Sequence, residues 1–276
     1  MGRLAAQASH PLTDAWLRVD WADMHGHLFA DRSVEFFRTE PYRLWAEWNG
    51  ARWEVRFHSR TDPKAELLAL TELARLLGAF LDHARAALNY TAYQVALLAV
   101  RDDPSLLETP KDGGKPFRPE SVEFPIYKWE KLYRKDNRLK KLPSRYTDPI
   151  EAVQPFHGGN AALWILHKLA GQYRHHLVHP AIVWPVADGH RVVVGGKEIE
   201  ADKIETFPTA KLEPGEVLLR FDLEGVRPGV SVDPRVMLAT GIDHELCVGH
   251  EAVGLLNSIV KEVGDVIETI QGVLFS

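Results

Sequence analysis

Residues 253–274 read VGLLNSIVKEVGDVIETIQGVL, and this stretch decides the class of fold. Its apolar side chains recur in alternating steps of three and four residues, at Val253, Leu256, Val260, Val263, Ile267, Ile270 and Leu274. This spacing predicts a long helix, over residues 246–274, with a narrow apolar seam of the coiled-coil type. Such a seam packs either along another helix of the chain or against a second subunit. The second alternative predicts a homodimer through the C-terminal helix.

Three further stretches carry helical spacing. A capping Thr61 or Asp62 followed by Pro63 predicts the start of a long helix, and the predicted helices cover residues 63–101, about 126–140 and 160–178. Residues 1–40 contain apolar anchors without a sustained period. We therefore leave that N-terminal segment unassigned.

Two stretches are rich in strand-forming residues. Alternating apolar and polar residues flank Asn49-Gly50 and predict a β-hairpin over residues 42–57, with a turn whose two residues both have positive φ. Short β-rich runs separated by glycine turns predict strands over residues 182–223. We predict an α+β fold, in which a helical bundle packs beside a small antiparallel sheet, as a single domain over residues 41–276.

Composition narrows the classes of function. The 276 residues are 45% hydrophobic and carry a net charge of −5, so nucleic acid could be bound only through a local basic patch. A single cysteine, Cys247, excludes an internal disulfide framework. Without a run of 18 apolar residues or a signal peptide, we expect no membrane contact and a cytoplasmic location. Neither a glycine-rich phosphate loop nor a Gly-x-Ser-x-Gly motif is present, so we expect no cofactor.

Polar side chains interrupt the helix predicted over 63–101. Asp82, Arg85 and Asn89 are three and four residues apart, which places them on one helix face. Polar groups within an apolar helix need partners if they are buried. These three residues therefore predict a hydrogen-bond network with a neighbouring helix.

One block of the chain is strongly basic. It contains Tyr127, Trp129 and Tyr133 between cationic residues, and the candidate binding residues are Lys128, Lys131, Arg134, Lys135 and Arg138. Cations interleaved with aromatic rings can hold a nucleic-acid backbone and stack bases. The alternative is a solvated helix whose aromatic rings point at the core, since Trp129, Leu132 and Tyr133 have helical spacing. We favour the buried position for the aromatic residues and leave the role of the charges open.

The stretch Tyr173-Arg174-His175-His176-Leu177-Val178-His179-Pro180 concentrates three histidines and an arginine. Histidine titrates near neutral pH and arginine binds phosphate through two parallel hydrogen bonds, so this pair of residue types suits metal-independent phosphodiester chemistry. His175 and His179 also have i, i+4 spacing, which could bind a metal with His157, His167 or Asp82. A third reading needs no function, because cations at a helix C-terminus interact favourably with its dipole.

Two resemblances follow from these motifs. The helix containing Arg85-Ala86-Ala87-Leu88-Asn89-Tyr90, then Phe124-Pro125-Ile126, Gln154-Pro155-Phe156 and the His/Arg cluster resemble the order of parts in a family of uncharacterised bacterial proteins. That resemblance implies no particular activity.

The second resemblance concerns Arg174 and His179, whose R-x4-H spacing looks like the signature of HEPN domains. These are all-helical modules, many of them ribonucleases in which two subunits share one cleft. The resemblance implies that Arg174 holds phosphate, that His179 is the base or acid, and that His175 orients one of them. The leading hypothesis is a HEPN-like, metal-independent ribonuclease or RNA-binding protein. A non-catalytic dimeric interaction or scaffold module is the alternative, followed by a histidine-ligated metal hydrolase.

Overall fold

The computed structural model describes residues 10–109, 115–136, 139–158, 161–173, 180–185, 191–207, 215–226, 229–235, 238–247 and 250–275. Over these residues the chain is an α+β protein, as predicted. Its helices are α1 (Thr13–Arg38), α2 (Pro63–Asp102), α3 (Glu130–Tyr133), α4 (Ser144–Ala152), α5 (Ala161–Tyr173) and α6 (Ala252–Leu274). Among the described helices, none is both long and apolar enough to cross a membrane.

The strands pair in antiparallel fashion. They are β1 (Tyr42–Trp48), β2 (Trp53–Ser59), β3 (Pro180–Pro185), β4 (Arg191–Val194), β5 (Lys197–Glu200), β6 (Asp202–Thr206), β7 (Val217–Asp222), β8 (Val232–Arg235) and β9 (Leu238–Ile242). Three sheets result, with strand orders β1-β2-β7-β6, β5-β4-β8 and β3-β9. The early hairpin therefore pairs with the later β-rich region, and antiparallel pairing is confirmed.

The chain divides into two compact units, each assembled from separate segments. The helical unit takes the described residues within Met1–Gly26, Gly78–His176 and Leu256–Ser276, and the sheet unit takes those within His27–Leu77 and Leu177–Leu255. The single domain predicted over residues 41–276 stays a prediction.

The unassigned N-terminal segment contains the helix α1. Its buried positions follow steps of three and four along one face: Leu12, Ala15, Val19, Ala22, Gly26, Phe29, Ser33 and Phe36. Half of these residues are Ala, Gly or Ser, which carry little hydrophobic signal, so the period is hidden in the sequence. Small residues allow close packing, and a Cβ on Gly26 would lie 3.4 Å from the ring of Phe80 on α2. Small residues therefore form as much of the buried face of α1 as the larger apolar residues do.

The helix predicted over residues 126–140 forms only as the single turn α3. Trp129 has extended backbone angles, φ −127° and ψ 126°, and this conformation delays the start of the helix to Glu130. The next helix, α4, was not predicted, because Pro149 lies inside it and interior proline usually breaks a helix. The buried Leu139 and Leu142 contribute apolar side chains from the segment between the two helices.

The C-terminal helix α6 is shorter than predicted, because its first turn begins at Ala252 and a short 3-10 helix occupies Glu245–Cys247. The predicted apolar seam is buried at Leu256, Val263, Ile267 and Ile270, which are at most 1% exposed, and half-buried at Val253, Val260 and Leu274. Trp16 Nε1 of α1 donates a 3.0 Å hydrogen bond to Oε1 of Gln271.

Because the chain itself buries the seam, packing between helices of one chain explains its apolar character. The homodimer through this helix stays a prediction that the seam does not require. On the same helix, Glu262 accepts hydrogen bonds from the first amides of α5, at 3.3 Å from Ala162 N and 3.0 Å from Leu163 N. Burial raises the pKa of Glu262, while these two hydrogen bonds oppose the rise.

The hairpin of the sheet unit has a four-residue loop, residues 49–52, instead of the predicted two-residue turn. Of Asn49 and Gly50, only Gly50 has a positive φ, 99°. The Asn49 side chain accepts from the amides of Ala51 and Arg52 at 2.9 and 2.8 Å, which closes the loop. The apolar face predicted for β2 is confirmed, because Trp53, Val55 and Phe57 are at most 2% exposed, but Glu54 on the polar face is buried too.

A buried carboxylate lies at the centre of the four-stranded sheet. Glu54 on β2 is 3% exposed and accepts hydrogen bonds from three side chains: Arg56 Nη2 at 2.6 Å, Asn49 Nδ2 at 2.7 Å and Arg220 Nε at 2.8 Å. Burial raises the pKa of Glu54, but the three hydrogen bonds outweigh burial and hold the pKa below its usual value. Glu54 is therefore a carboxylate enclosed by partners of its own unit.

Candidate functional site

The three residues predicted to be catalytic, Arg174, His175 and His179, lie outside the described residues. The last described residue before them is Tyr173, at the end of α5. Its ring lies against α2 at Gly78, where a Cβ would come within 1.9 Å of the ring carbon Cζ. Glycine at this position therefore makes room for the end of α5 on α2.

Metal binding by histidine and nucleophilic chemistry by Cys247 are two alternatives to the predicted catalytic residues. Across the part of the chain that the structure describes, no group of three or more His, Cys, Asp or Glu residues could hold a metal ion. Burial raises the pKa of the Cys247 thiol to about 12, so this thiol stays protonated at neutral pH. Metal binding by His175 and His179 stays a prediction outside the described range.

The polar residues predicted on one face of α2 separate into two groups. Arg85 is 6% exposed and donates from Nη2 to the Phe124 carbonyl at 2.7 Å, while Asn89 Oδ1 accepts from the Phe124 amide at 3.0 Å. Their partner is thus the backbone of an extended segment and not another helix. Asp82 is exposed and lies outside this pair of contacts. Arg85 and Asn89 together hold both backbone groups of one residue.

Gln154 holds the same segment from the other side. Its side chain is fully buried, and its Nε2 donates to the carbonyls of Pro125 at 2.9 Å and Ile150 at 3.0 Å. Its Oε1 accepts from the Tyr127 amide at 3.1 Å. We call Arg85, Asn89 and Gln154 the backbone clamp. Three motifs of the first resemblance, which are far apart in sequence, therefore meet at residues 124–127, while its His/Arg cluster lies outside the described residues.

The basic block begins directly after the clamped segment. Lys128, Lys131, Arg134 and Lys135 are all exposed, as a binding role requires, and Arg138 lies outside the described residues. The buried position favoured for the aromatic residues is wrong for Trp129, which is 62% exposed, and for its neighbour Leu132, which is 45% exposed. The one-turn α3 is too short to bury both residues. Tyr127 and Tyr133 are half-buried, and the ring of Tyr133 packs against those of Tyr127 and Phe156.

The exposed Trp129 ring has one cation beside it, and two more lysines follow within six residues. The Lys128 Nζ lies 5.6 Å from the centre of its ring, a cation–π distance. We call Lys128, Trp129, Lys131 and Lys135 the basic aromatic surface. Arg134 is engaged elsewhere: Nη1 and Nη2 donate to Glu151 at 2.8 and 2.5 Å, and Nη2 also lies 3.3 Å from Glu130. The arginine therefore ties α3 to α4.

A cavity of about 230 Å³ opens beside this pair of helices. Its apolar lining comes from Pro125, Tyr133, Leu139 and Leu142, and its polar lining from Arg134, Asp136, Lys140, Ser144, Thr147 and Glu151. Burial, followed by the nearby charge of Glu151, raises the pKa of Tyr133, so its phenol stays neutral and can donate a hydrogen bond. The lining thus includes Pro125, whose carbonyl accepts from Gln154 of the backbone clamp, and Arg134, which lies between Lys131 and Lys135 in the sequence.

A second cluster joins α1 and α2 in the helical unit. Arg18 Nη1 lies 3.0 Å from Nδ1 of His83, the rings of His25 and His83 are 5.2 Å apart, and Arg18 lies 4.9 Å from the Trp21 ring. Burial, then the charges of His25 and Arg18, lower the pKa of His83. Nδ1 of a neutral His83 can then accept the hydrogen bond from Arg18. No sequence pattern indicated this cluster, because α1 itself was not predicted.

Comparisons of the chain with protein-family models, with curated proteins and with solved structures find no match. The geometry of the described residues therefore carries the functional argument.

Proposed function

We propose that the protein binds single-stranded RNA through the basic aromatic surface of Lys128, Trp129, Lys131 and Lys135. The observation that supports this proposal is the 62% exposure of Trp129 among these lysines. An indole is among the most apolar side chains, and water contact with most of its surface leaves the energy of its burial unused. A nucleobase stacked on the ring would recover that energy.

The charges of the surface suit the backbone of a nucleic acid. The whole chain has a net charge of −5, so attraction to a polyanion must be local. Three lysines within eight residues supply that local charge, and lysine acts as a mobile point charge toward phosphate. Single-stranded RNA fits better than a duplex, because only unpaired bases can stack on an exposed ring.

Cleavage is a further part of the proposal and is supported by the sequence signature alone. Arg174 would hold the scissile phosphate and His179 would act as base or acid, without a metal. Incubation of labelled RNA in EDTA with the wild type, Arg174→Ala and His179→Ala tests this part. We expect the wild type to cleave the RNA and both substitutions to abolish the cleavage. Intact RNA after incubation with the folded wild type would overturn the cleavage part of the proposal.

Binding is tested by fluorescence anisotropy of a labelled ten-nucleotide oligouridine. We expect Trp129→Ala to weaken binding about 5- to 150-fold, the loss of one stacked base. The matched control is Trp48→Ala, since Trp48 is also exposed, at 37%, but belongs to the sheet unit. Lys131→Glu combined with Lys135→Glu should weaken binding and flatten its dependence on salt.

Equal affinities of the wild type, Trp129→Ala and the double lysine variant would overturn RNA binding at this surface. A wild type that binds no RNA would favour the interaction module, in which Trp129 and Leu132 contact a protein instead.

A further inference from the structure

We propose that the cavity between α3 and α4 receives one nucleobase of the bound RNA and prefers guanine. This inference rests on the proposed RNA binding, because the basic aromatic surface would deliver the strand to the cavity. The residues that line the cavity would bind the base, and none of them belongs to the basic aromatic surface.

The cavity has the size of a single ring system. Its volume of about 230 Å³ is below the roughly 300–1,000 Å³ of sites for drug-sized ligands. Apolar walls from Pro125, Tyr133, Leu139 and Leu142 suit the faces of a planar ring. A sugar phosphate would place its charges against these walls, whereas a base would not.

The charges that line the cavity balance. Among the described lining residues, Arg134 and Lys140 contribute two cations, and Asp136 and Glu151 contribute two carboxylates. A phosphate would be attracted by the two cations but repelled by the two carboxylates, so it would gain no net attraction from these charges. A neutral ligand with both donor and acceptor groups can satisfy the two signs together. This charge balance distinguishes the cavity from the adjoining basic aromatic surface, which suits phosphate.

Glu151 has the chemistry to select guanine. A carboxylate has about four acceptor sites, and Arg134 takes one on each oxygen at 2.8 and 2.5 Å. Among the described residues, no other donor takes the second site on either oxygen. Guanine presents two adjacent N–H donors on its pairing edge, at N1 and N2, while uracil presents one. Bases in single-stranded RNA are commonly recognised through this edge.

The site is also held in place before a ligand arrives. The backbone clamp fixes Pro125 through the 2.9 Å hydrogen bond from Gln154. Arg134, which also contacts Glu130, fixes the carboxylate of Glu151. A wall and a carboxylate that are already ordered lower the entropy cost of binding.

The experiment compares three ten-nucleotide RNAs, oligouridine with a central uridine, guanosine or adenosine, by the same anisotropy assay. We expect the guanosine RNA to bind the wild type about 5- to 150-fold more tightly than the uridine RNA, the range of a bidentate base contact. We call the affinity for the guanosine RNA divided by the affinity for the uridine RNA the guanosine ratio. Glu151→Gln should remove most of the guanosine ratio, because an amide offers one acceptor and one donor group.

Two further variants make the result specific. Glu130→Gln is the matched control, since Glu130 also contacts Arg134 but does not line the cavity, and we expect it to keep the guanosine ratio. Thr147→Phe places a ring inside the cavity and leaves Glu151 in place, so it should abolish the ratio while oligouridine still binds. Circular dichroism confirms that each variant is folded.

The outcomes separate the two proposals. Oligouridine binding that depends on Trp129, with equal affinity for all three RNAs, would overturn the base pocket and leave the proposed function standing. The base pocket would also be overturned by a guanosine ratio that survives in both Glu151→Gln and Thr147→Phe. The same holds if the guanosine ratio disappears in Glu130→Gln. If no RNA binds to the wild type, both proposals fall together.

Discussion

Two glutamates with arginine partners differ between the sheet unit and the helical unit. Glu54 is 3% exposed and accepts hydrogen bonds from Asn49, Arg56 and Arg220. The side chain of Glu151 is 20% exposed, is held by Arg134, and lines a cavity. The first carboxylate is enclosed by the fold, and the second keeps acceptor sites that an incoming molecule can reach.

The difference shows how one kind of ion pair serves two purposes. When a buried carboxylate holds several donors inside the fold, as Glu54 does, removing its charge breaks a buried hydrogen-bond network, so stability depends on it. When the pair is open to solvent, stability depends on it little, and its free acceptors can recognise a ligand. The following predictions test this division, beginning with the largest expected effect.

Glu54→Gln should destabilise the protein by about 3–5 kcal/mol, because two arginines lose a buried counter-charge. The free energy of unfolding, from chemical denaturation, measures the loss. Glu47→Gln is the control, since Glu47 also pairs with Arg56 but its side chain is 48% exposed. Equal losses in the two variants would contradict the enclosed role of Glu54.

Gln154→Met should destabilise by about 2–4 kcal/mol, because the Pro125 carbonyl and the Tyr127 amide lose their partner while the volume is nearly kept. Denaturation again gives the loss, and the guanosine ratio should fall with it as the cavity wall loosens. The comparison variant is Gln94→Met on α2, where the side chain is half-buried. A loss no larger than in this variant would show that the backbone clamp does not hold the segment.

The contribution of Glu54 should depend on pH with a definite sign. Its pKa is lower in the folded than in the unfolded protein, so its stabilisation is complete above the unfolded value, about pH 4.3, and declines as the pH falls through the folded value. The difference in unfolding free energy between wild type and Glu54→Gln should therefore narrow below about pH 4.3. If the difference in unfolding free energy stays constant at acidic pH, the lowered pKa of Glu54 in the folded protein is contradicted.

Glu151→Gln should have the smallest effect on stability, with a melting temperature within about 3 °C of the wild type, because its partner Arg134 is exposed. Differential scanning calorimetry measures the shift. If this variant unfolds as easily as Glu54→Gln, the cavity carboxylate is structural and the contrast between the two glutamates is lost.

How far the sequence predicts this fold depends on the size of the side chains. Large apolar residues reveal the period of α2 and α6, whereas Ala15, Ala22 and Gly26 hide the period of α1. The stretch from Ile126 to Lys140 shows the opposite error. Its Trp129 and Leu132 have helical spacing by coincidence, because Trp129 has extended backbone angles and precedes a helical turn only four residues long.

The candidate site was predictable in its residues but not in its contacts. The basic block and the motifs around Arg85, Asn89 and Gln154 are evident in the sequence. That the clamp residues converge on the backbone of residues 124–127 is a tertiary fact, because no local pattern pairs a side chain with a distant carbonyl. The pairing of His25 with His83 was missed for the same reason.

The order in which the segments of the two units leave the ribosome has a consequence for synthesis. Both segments of the sheet unit, His27–Leu77 and Leu177–Leu255, precede Leu256 in the chain, whereas the helical unit also needs the residues that follow it. Domains generally fold as units during translation. A nascent chain can therefore complete the sheet unit first, while the parts of α1 and α2 that belong to the helical unit, residues 13–26 and 78–102, keep apolar faces exposed until α6 is made. A ribosome stalled before Leu256 would display those faces to chaperones.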